Sequence, residues 1–387
     1  MSVVAASSRW LSAQQEHGER VRLTWREELV TGLLSAWMLG GLYLDGWAHK
    51  NLTVLDTIWT PWHAVFYSGA ITLIAWIGAH VWQNWKAGRR GFGAVPEGYA
   101  LALVGAGLFV LAGIGDQIWH LSLGIERDLA AFLSPTHMGL AIAIFLMASS
   151  PFRAFWSSRQ TEAPSLREFA PVLLSLTVTV GFLCFLFNYL VMFPSVLPAI
   201  DNRAFRNSLP GGIPRETLDI FTERFRIQGV ASIFFTSMLF VSPILLALRR
   251  WRLPFGSVTL MYSAIAVAVG SIYELRQCWT VFAAVVAGLT ADFLIRRWDP
   301  SPRNIGPYRL LAGLVPLVMW TAYFVIFEIA YGIGWATEFW AGSIILSVLV
   351  MLWLSLLSAP QRVPFGTRAF AVGEAPSAAG AELDGKP

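Results

Sequence analysis

The chain has 387 residues, of which 56% are hydrophobic and only 13% charged, with a formal net charge of +4. Soluble domains run nearer a quarter charged, so this balance excludes an ordinary soluble domain and points to a polytopic membrane protein in contact with a lipid bilayer. The small basic excess is gathered in connections between apolar runs, where it marks topology, and there is no nucleic-acid signature. The two cysteines, Cys184 and Cys278, form no CxxC pair and no disulfide framework.

Residues 1–28 are polar and carry Arg9, Arg20, Arg22 and Arg26, which places them in the cytoplasm by the positive-inside rule. The first apolar run, 29–48, is close to the ~20 residues that a bilayer core requires, and it ends on Asp45 and His49. The second, 62–83, begins at His63 and returns to Lys86, Arg89 and Arg90. The third, 98–120, ends on Asp116 and His120, and a short outer segment with Glu126 follows. The fourth, 133–149, starts at His137 and ends before Arg153, Arg159 and Arg167.

The fifth run is 170–193, and Pro194 ends it. A polar outer loop, 195–226, then contains Asp201 and a short helix expected near Pro214. Five more runs follow at 227–248, 256–273, 277–295, 309–332 and 337–358, and the Ala/Gly/Pro/Ser-rich tail 361–387 reads as disordered. The fold class is therefore an all-α integral membrane protein, a helical bundle of about ten transmembrane helices with both termini inside. The setting expected is a bacterial inner membrane. Residues 29–150 form a four-helix unit and 170–358 supply six further helices.

The first four runs contain an internal repeat. Asp45-Gly-Trp-Ala-His49 with Pro61-Trp62-His63 is matched by Asp116-Gln-Ile-Trp-His120 with Pro135-Thr136-His137. Both units read as helical hairpins in the same orientation, so this is a parallel duplication. Four of the six histidines lie in these units. In each, a carboxylate and an imidazole four residues apart share a helix face. An ionisable group near the bilayer centre costs about 2.5–3.5 kcal/mol, less near an interface. Two Asp and four His at one depth on consecutive helices are better explained by a cation between them than by chance. The expectation is that Asp45, His49, His63, Asp116, His120 and His137 converge on one volume near the outer face, with Glu126 as an orienting carboxylate. Two imidazoles and a carboxylate suit copper, non-haem iron or zinc, and ligand type alone leaves these open.

A resemblance narrows the choice. Asp45-Gly-Trp-Ala-His49, Asp56-Thr57, Thr60-Pro61, His63 and Phe66-Tyr67 resemble the DGxxH, DT, TP-x-H and FY segment of the C subunit of the particulate methane/ammonia monooxygenase family. Asp116, His120, Pro135 and His137 resemble that family's second segment, except that Asp116 stands where the family has Asn. The resemblance covers roughly residues 30–150; runs five to ten have no counterpart in that subunit. It implies copper at Asp45, His49 and His63, with a neighbouring site drawing on Asp116 and His120 and with His63 shared. It implies a copper-dependent monooxygenase that activates dioxygen to hydroxylate a small apolar substrate, supplied with electrons by a quinol or by partner subunits. The alternative is a non-catalytic copper-binding or copper-handling membrane protein. Handling would need soft ligands arrayed across the bilayer, and Met138, Met192 and the cysteines do not form such a path. His80, towards the inner end of run two, and His17 read as structural and solvated, and Glu274, Arg276 and Glu328 as helix-end contacts.

Overall fold

The computed structural model describes residues 20–52, 60–124, 128–158, 162–201, 203–209, 211 and 214–359. Asp56, Thr57, Glu126, His17 and the tail 361–387 lie outside the described residues. Among those described there are thirteen α-helices and no strand. They are α1 (Trp25–Asn51), α2 (Pro61–Lys86), α3 (Ala100–Leu123), α4 (Asp128–Leu133), α5 (Pro135–Ala148), α6 (Ser150–Ser157), α7 (Leu166–Leu186), α8 (Arg203–Ser208), α9 (Arg215–Ala247), α10 (Ser257–Ile272), α11 (Val281–Trp298), α12 (Ile305–Ala330) and α13 (Thr337–Ser358).

Each of the ten runs read as a span falls on a helix. Among the described residues eight helices are long and apolar enough to cross a membrane, and α5 with α6 makes a ninth if that pair, bent by 40° at Ser149, is one span. The remaining helix, α10, has 16 residues, or about 24 Å at 1.5 Å per residue, short of the ~30 Å hydrocarbon core. One local expectation is corrected. Among the described residues no separate short helix begins at Pro214; the residue caps α9, which runs unbroken for 33 residues through the sixth span. The apolar run marks only the part of this helix that needs lipid, so its polar first turns read as a different element.

Local chemistry sets the helix starts. Thr24 and Glu27 close a capping box on α1, and Ser165 and Glu168 close another on α7. Helices α2 and α5 begin alike, with a hydroxyl N-cap (Thr60, Ser134) and proline at N1.

Packing within each early hairpin depends on small residues. A Cβ added at Gly41 would lie 2.6 Å from the Phe66 backbone, and one at Gly69 would lie 2.6 Å from the Met38 backbone nitrogen. The α1 and α2 backbones therefore touch, as membrane helices do where small residues let them approach. In the second hairpin, Gly139 takes the Ala112 methyl, and a Cβ at Gly139 would come within 2.9 Å of it. Helix α1 also packs on α7 and α10, where the Tyr43 hydroxyl donates to the Gly181 carbonyl at 2.8 Å and Asn51 Nδ2 donates to the Ile272 carbonyl at 2.9 Å.

The later helices form an aromatic core tied by buried polar contacts. Trp320 Nε1 donates to Ser237 Oγ at 2.7 Å, and the Tyr262 hydroxyl donates to the Phe240 carbonyl at 2.9 Å. Asp292, buried in α11, accepts from the Val258 and Thr259 backbone N–H groups and from the Thr259 hydroxyl. A carboxylate in an apolar helix is thus used to cap the start of α10.

Candidate metal centre

The close crossing of α1 and α2 sets the first group of ligands. Asp45 lies one turn beyond Gly41, and His49 one turn beyond Asp45. At the start of α2, Thr60 Oγ1 accepts from the His63 backbone N–H at 3.2 Å and lies 2.8 Å from His63 Nδ1. The cap folds the imidazole back over the helix end, beside Asp45. His63 Nδ1 is 3.0 Å from Asp45 Oδ1, and His49 Nε2 is 3.8 Å from Asp45 Oδ2. The two rings meet edge to face with centroids 5.4 Å apart. Asp45 is 8% exposed, yet its Oδ1 has no hydrogen-bond partner, because the His63 contact lacks hydrogen-bond geometry.

The second hairpin repeats the plan with more support. Asp116 is 3% exposed. Its Oδ2 lies 3.4 Å from His120 Nε2 and its Oδ1 lies 3.3 Å from His137 Nε2. Ser134 Oγ is 2.8 Å from His137 Nδ1, and His120 Nδ1 is 3.2 Å from the Gly124 carbonyl. Gly124 ends α3 with φ +86°, a conformation suited to glycine, so the carbonyl that meets His120 belongs to the helix stop itself. The Thr136 hydroxyl donates to Asp116 Oδ1 at 2.8 Å.

All six predicted ligand residues are thus brought together, but by hairpin. Asp45, His49 and His63 form one trio, and Asp116, His120 and His137 the other; within each, one ligand atom per residue lies within 4.8 Å of the rest. His63 sits with the first trio. The trios are neighbours at one end of the bundle: His63 lies in the electrostatic reach of Asp116, His120 and His137, and Tyr67 in that of both carboxylates. Tyr67 stacks on His63 at 6.2 Å between centroids and meets Phe109 of α3 edge-on at 6.1 Å.

The other candidates have ordinary roles. His80 is buried against Trp76 at 4.5 Å between centroids and belongs to neither trio. Met192 is buried, with its backbone N–H donating to Thr236 and its carbonyl accepting from Tyr323. Glu274 pairs with Arg276 at 2.7 Å, and Glu328 accepts from the Ile333 N–H. Sequence reasoning missed Thr136 and Gly124. The signals were a hydroxyl directly before His137 and a glycine four residues after His120.

Below Tyr67, a cleft of about 380 Å³ runs between α2 and α3. Its lining is apolar apart from Tyr67 and Gln117, and includes Ile71, Phe109, Gly113 and Ile114. No family model, curated protein or solved structure matches the chain.

Proposed function

We propose that the protein is a membrane-embedded copper protein with two metal sites, one per hairpin, and that it is an oxygenase acting on small apolar molecules. The observation that carries the metal reading is the pair of buried carboxylates, each flanked by two imidazoles. A buried acceptor without a partner costs about 1–3 kcal/mol, more when charged. Asp45 Oδ1 makes no hydrogen bond, its close neighbour being His63 Nδ1 at 3.0 Å, and a cation between the two would offset that cost. Three protein ligands of type N₂O leave coordination open, as at catalytic rather than structural sites. Copper is the metal that the resemblance of residues 45–67 and 116–137 implies; non-haem iron and zinc fit the donors equally.

Held there, copper would supply one-electron chemistry and a place for dioxygen. The chain's part would be to orient the imidazoles through Thr60, Ser134 and Gly124, to balance charge with the two carboxylates, and to exclude water. The cleft beside Tyr67 supports the substrate class. Ile71, Ile114 and Ile118 at its rim are 62%, 58% and 59% exposed, which in a membrane means that they face acyl chains. A small apolar molecule dissolved in the bilayer would enter there without crossing water. The Lys/Arg pattern supports an outer-face position for the trios.

Two measurements test this reading. Electron paramagnetic resonance on membranes holding the protein should give a Cu(II) signal with imidazole nitrogen couplings; a high-spin iron signal would change the metal. Oxygen uptake with a quinol should then rise on adding a short-chain hydrocarbon. Full metal loading with no such uptake would favour the non-catalytic copper protein.

A further inference from the structure

The two trios are built from the same motif but are supported differently. In the second, both imidazoles have Nδ1 anchored, His120 on the Gly124 carbonyl and His137 on Ser134, and both present Nε2 to Asp116. The carboxylate is itself held by the Thr136 hydroxyl. Ser134 Oγ lies 3.4 Å from Thr136 Oγ1, so the two hydroxyls brace each other. In the first trio the residue before the histidine is Trp62, which packs edge-on against Trp47 and brings no hydroxyl. His63 Nδ1 does rest on Thr60 at 2.8 Å, as His137 does on Ser134, but Asp45 Oδ1, 3.0 Å from His63 Nδ1, receives no hydroxyl and makes no hydrogen bond, and His49 stands 3.8 Å off with 39% of its side chain exposed.

From this we infer that Asp116, His120 and His137 are the preorganised, tighter metal site, and that Thr136 is the positioning residue that makes them so. The inference rests on the metal reading above and reverses the order that the resemblance suggests, in which Asp45, His49 and His63 come first. The physical reason is that hydrogen bonds already hold the second trio in a binding arrangement. An ion entering it need not order His49-like free side chains, and such ordering is what weakens loose sites. Outer partners of ligating groups are typically worth 10–100-fold in metal affinity. The missing hydroxyl at Trp62 therefore leaves the first trio weaker by about that factor, even though Asp45 Oδ1, which makes no hydrogen bond, favours a cation.

The test uses Cu(II), which heads the divalent affinity series and so probes an N₂O site whatever its resident metal. Full-length chain in lipid nanodiscs, stripped by chelator, is titrated against a competing chromophoric chelator. H49A/H63A leaves the second trio alone, and H120A/H137A leaves the first. The second-trio form should bind at least about 10-fold tighter. Adding Thr136→Val should weaken it by about 10–100-fold and alter its Cu(II) nitrogen couplings, while Thr136→Ser, which keeps the hydroxyl, should restore both. Thr136→Val in the first-trio form should change little. Tighter binding by the first trio, or a second trio indifferent to Thr136→Val, would overturn the inference and leave the metal reading standing. A wild-type chain that binds no Cu(II) would instead overturn the metal reading, and this inference with it.

Discussion

At the residue scale, the chemistry sits in two carboxylates that are buried where burial is costly. The six residues that form the trios were legible in the sequence because ionisable side chains in apolar runs are few, and these six recur with one spacing. What the spacing did not contain was the grouping. A shared centre and two adjacent centres need the same residues, and only the N-cap geometry at Thr60 and Ser134 shows each hairpin closing its own trio. Thr136 was equally hidden, since a threonine in the first turn of a helix is usually a local hydrogen-bonding residue. His49→Ala should therefore remove metal from the first trio only, because His49 is a surface member of that trio and packs little. His80→Ala should leave metal content unchanged, because His80 is buried against Trp76 and belongs to neither trio. Elemental analysis of both purified variants checks this, and equal metal content in the two would remove His49 from the ligand set.

At the element scale, the site depends on how closely α1 and α2 cross. Gly69→Val would drive a side chain into the Met38 backbone, which cannot yield as a flexible side-chain end can. Over-packing of this kind typically costs about 1–3 kcal/mol, and here it should also lift Asp45 and His49 away from His63. The first trio should lose metal while the second keeps it, as counted by Cu(II) bound per chain. The cleft between α2 and α3 gives the opposite kind of test. A Cβ at Gly113 would meet nothing within 4 Å, so Gly113→Phe should fold normally, keep both metals and fill the cleft. Hydrocarbon-stimulated oxygen uptake should fall by an order of magnitude or more with no loss of copper; unchanged uptake would move the substrate route elsewhere. The helices that carry the ten apolar runs were readable from those runs, and eight of them, or nine with the bent pair, are long and apolar enough to span among the described residues. The unbroken start of α9 was not readable, because its polar first turns carry no hydropathy signal, and neither was α6 beyond the bend at Ser149, because the apolar run ends there.

At the scale of the whole molecule, the fold is a set of antiparallel hairpins with the ligand end of the first two on one side. Helix α2 ends on Lys86 and the connection after it carries Arg89 and Arg90, and the one after α5 and α6 leads to Arg167, so the opposite end is the positive one. Reporter fusions after Arg90 should read inside, and fusions after Arg127 outside. The reverse pattern would place the trios on the inner face. The later helices pack on α1 through Tyr43 and Asn51, so the site's first helix is held from both sides.

The central claim is that two metal ions sit on this chain, one per hairpin. The direct measurement is the metal content of protein purified from copper-supplied membranes, wild type beside Asp45→Asn, Asp116→Asn and the double variant. The account predicts about two copper ions per wild-type chain, about one in each single variant and none in the double, with the folded fraction unchanged. Wild-type protein without stoichiometric metal, or a double variant as fully loaded as wild type, would contradict it.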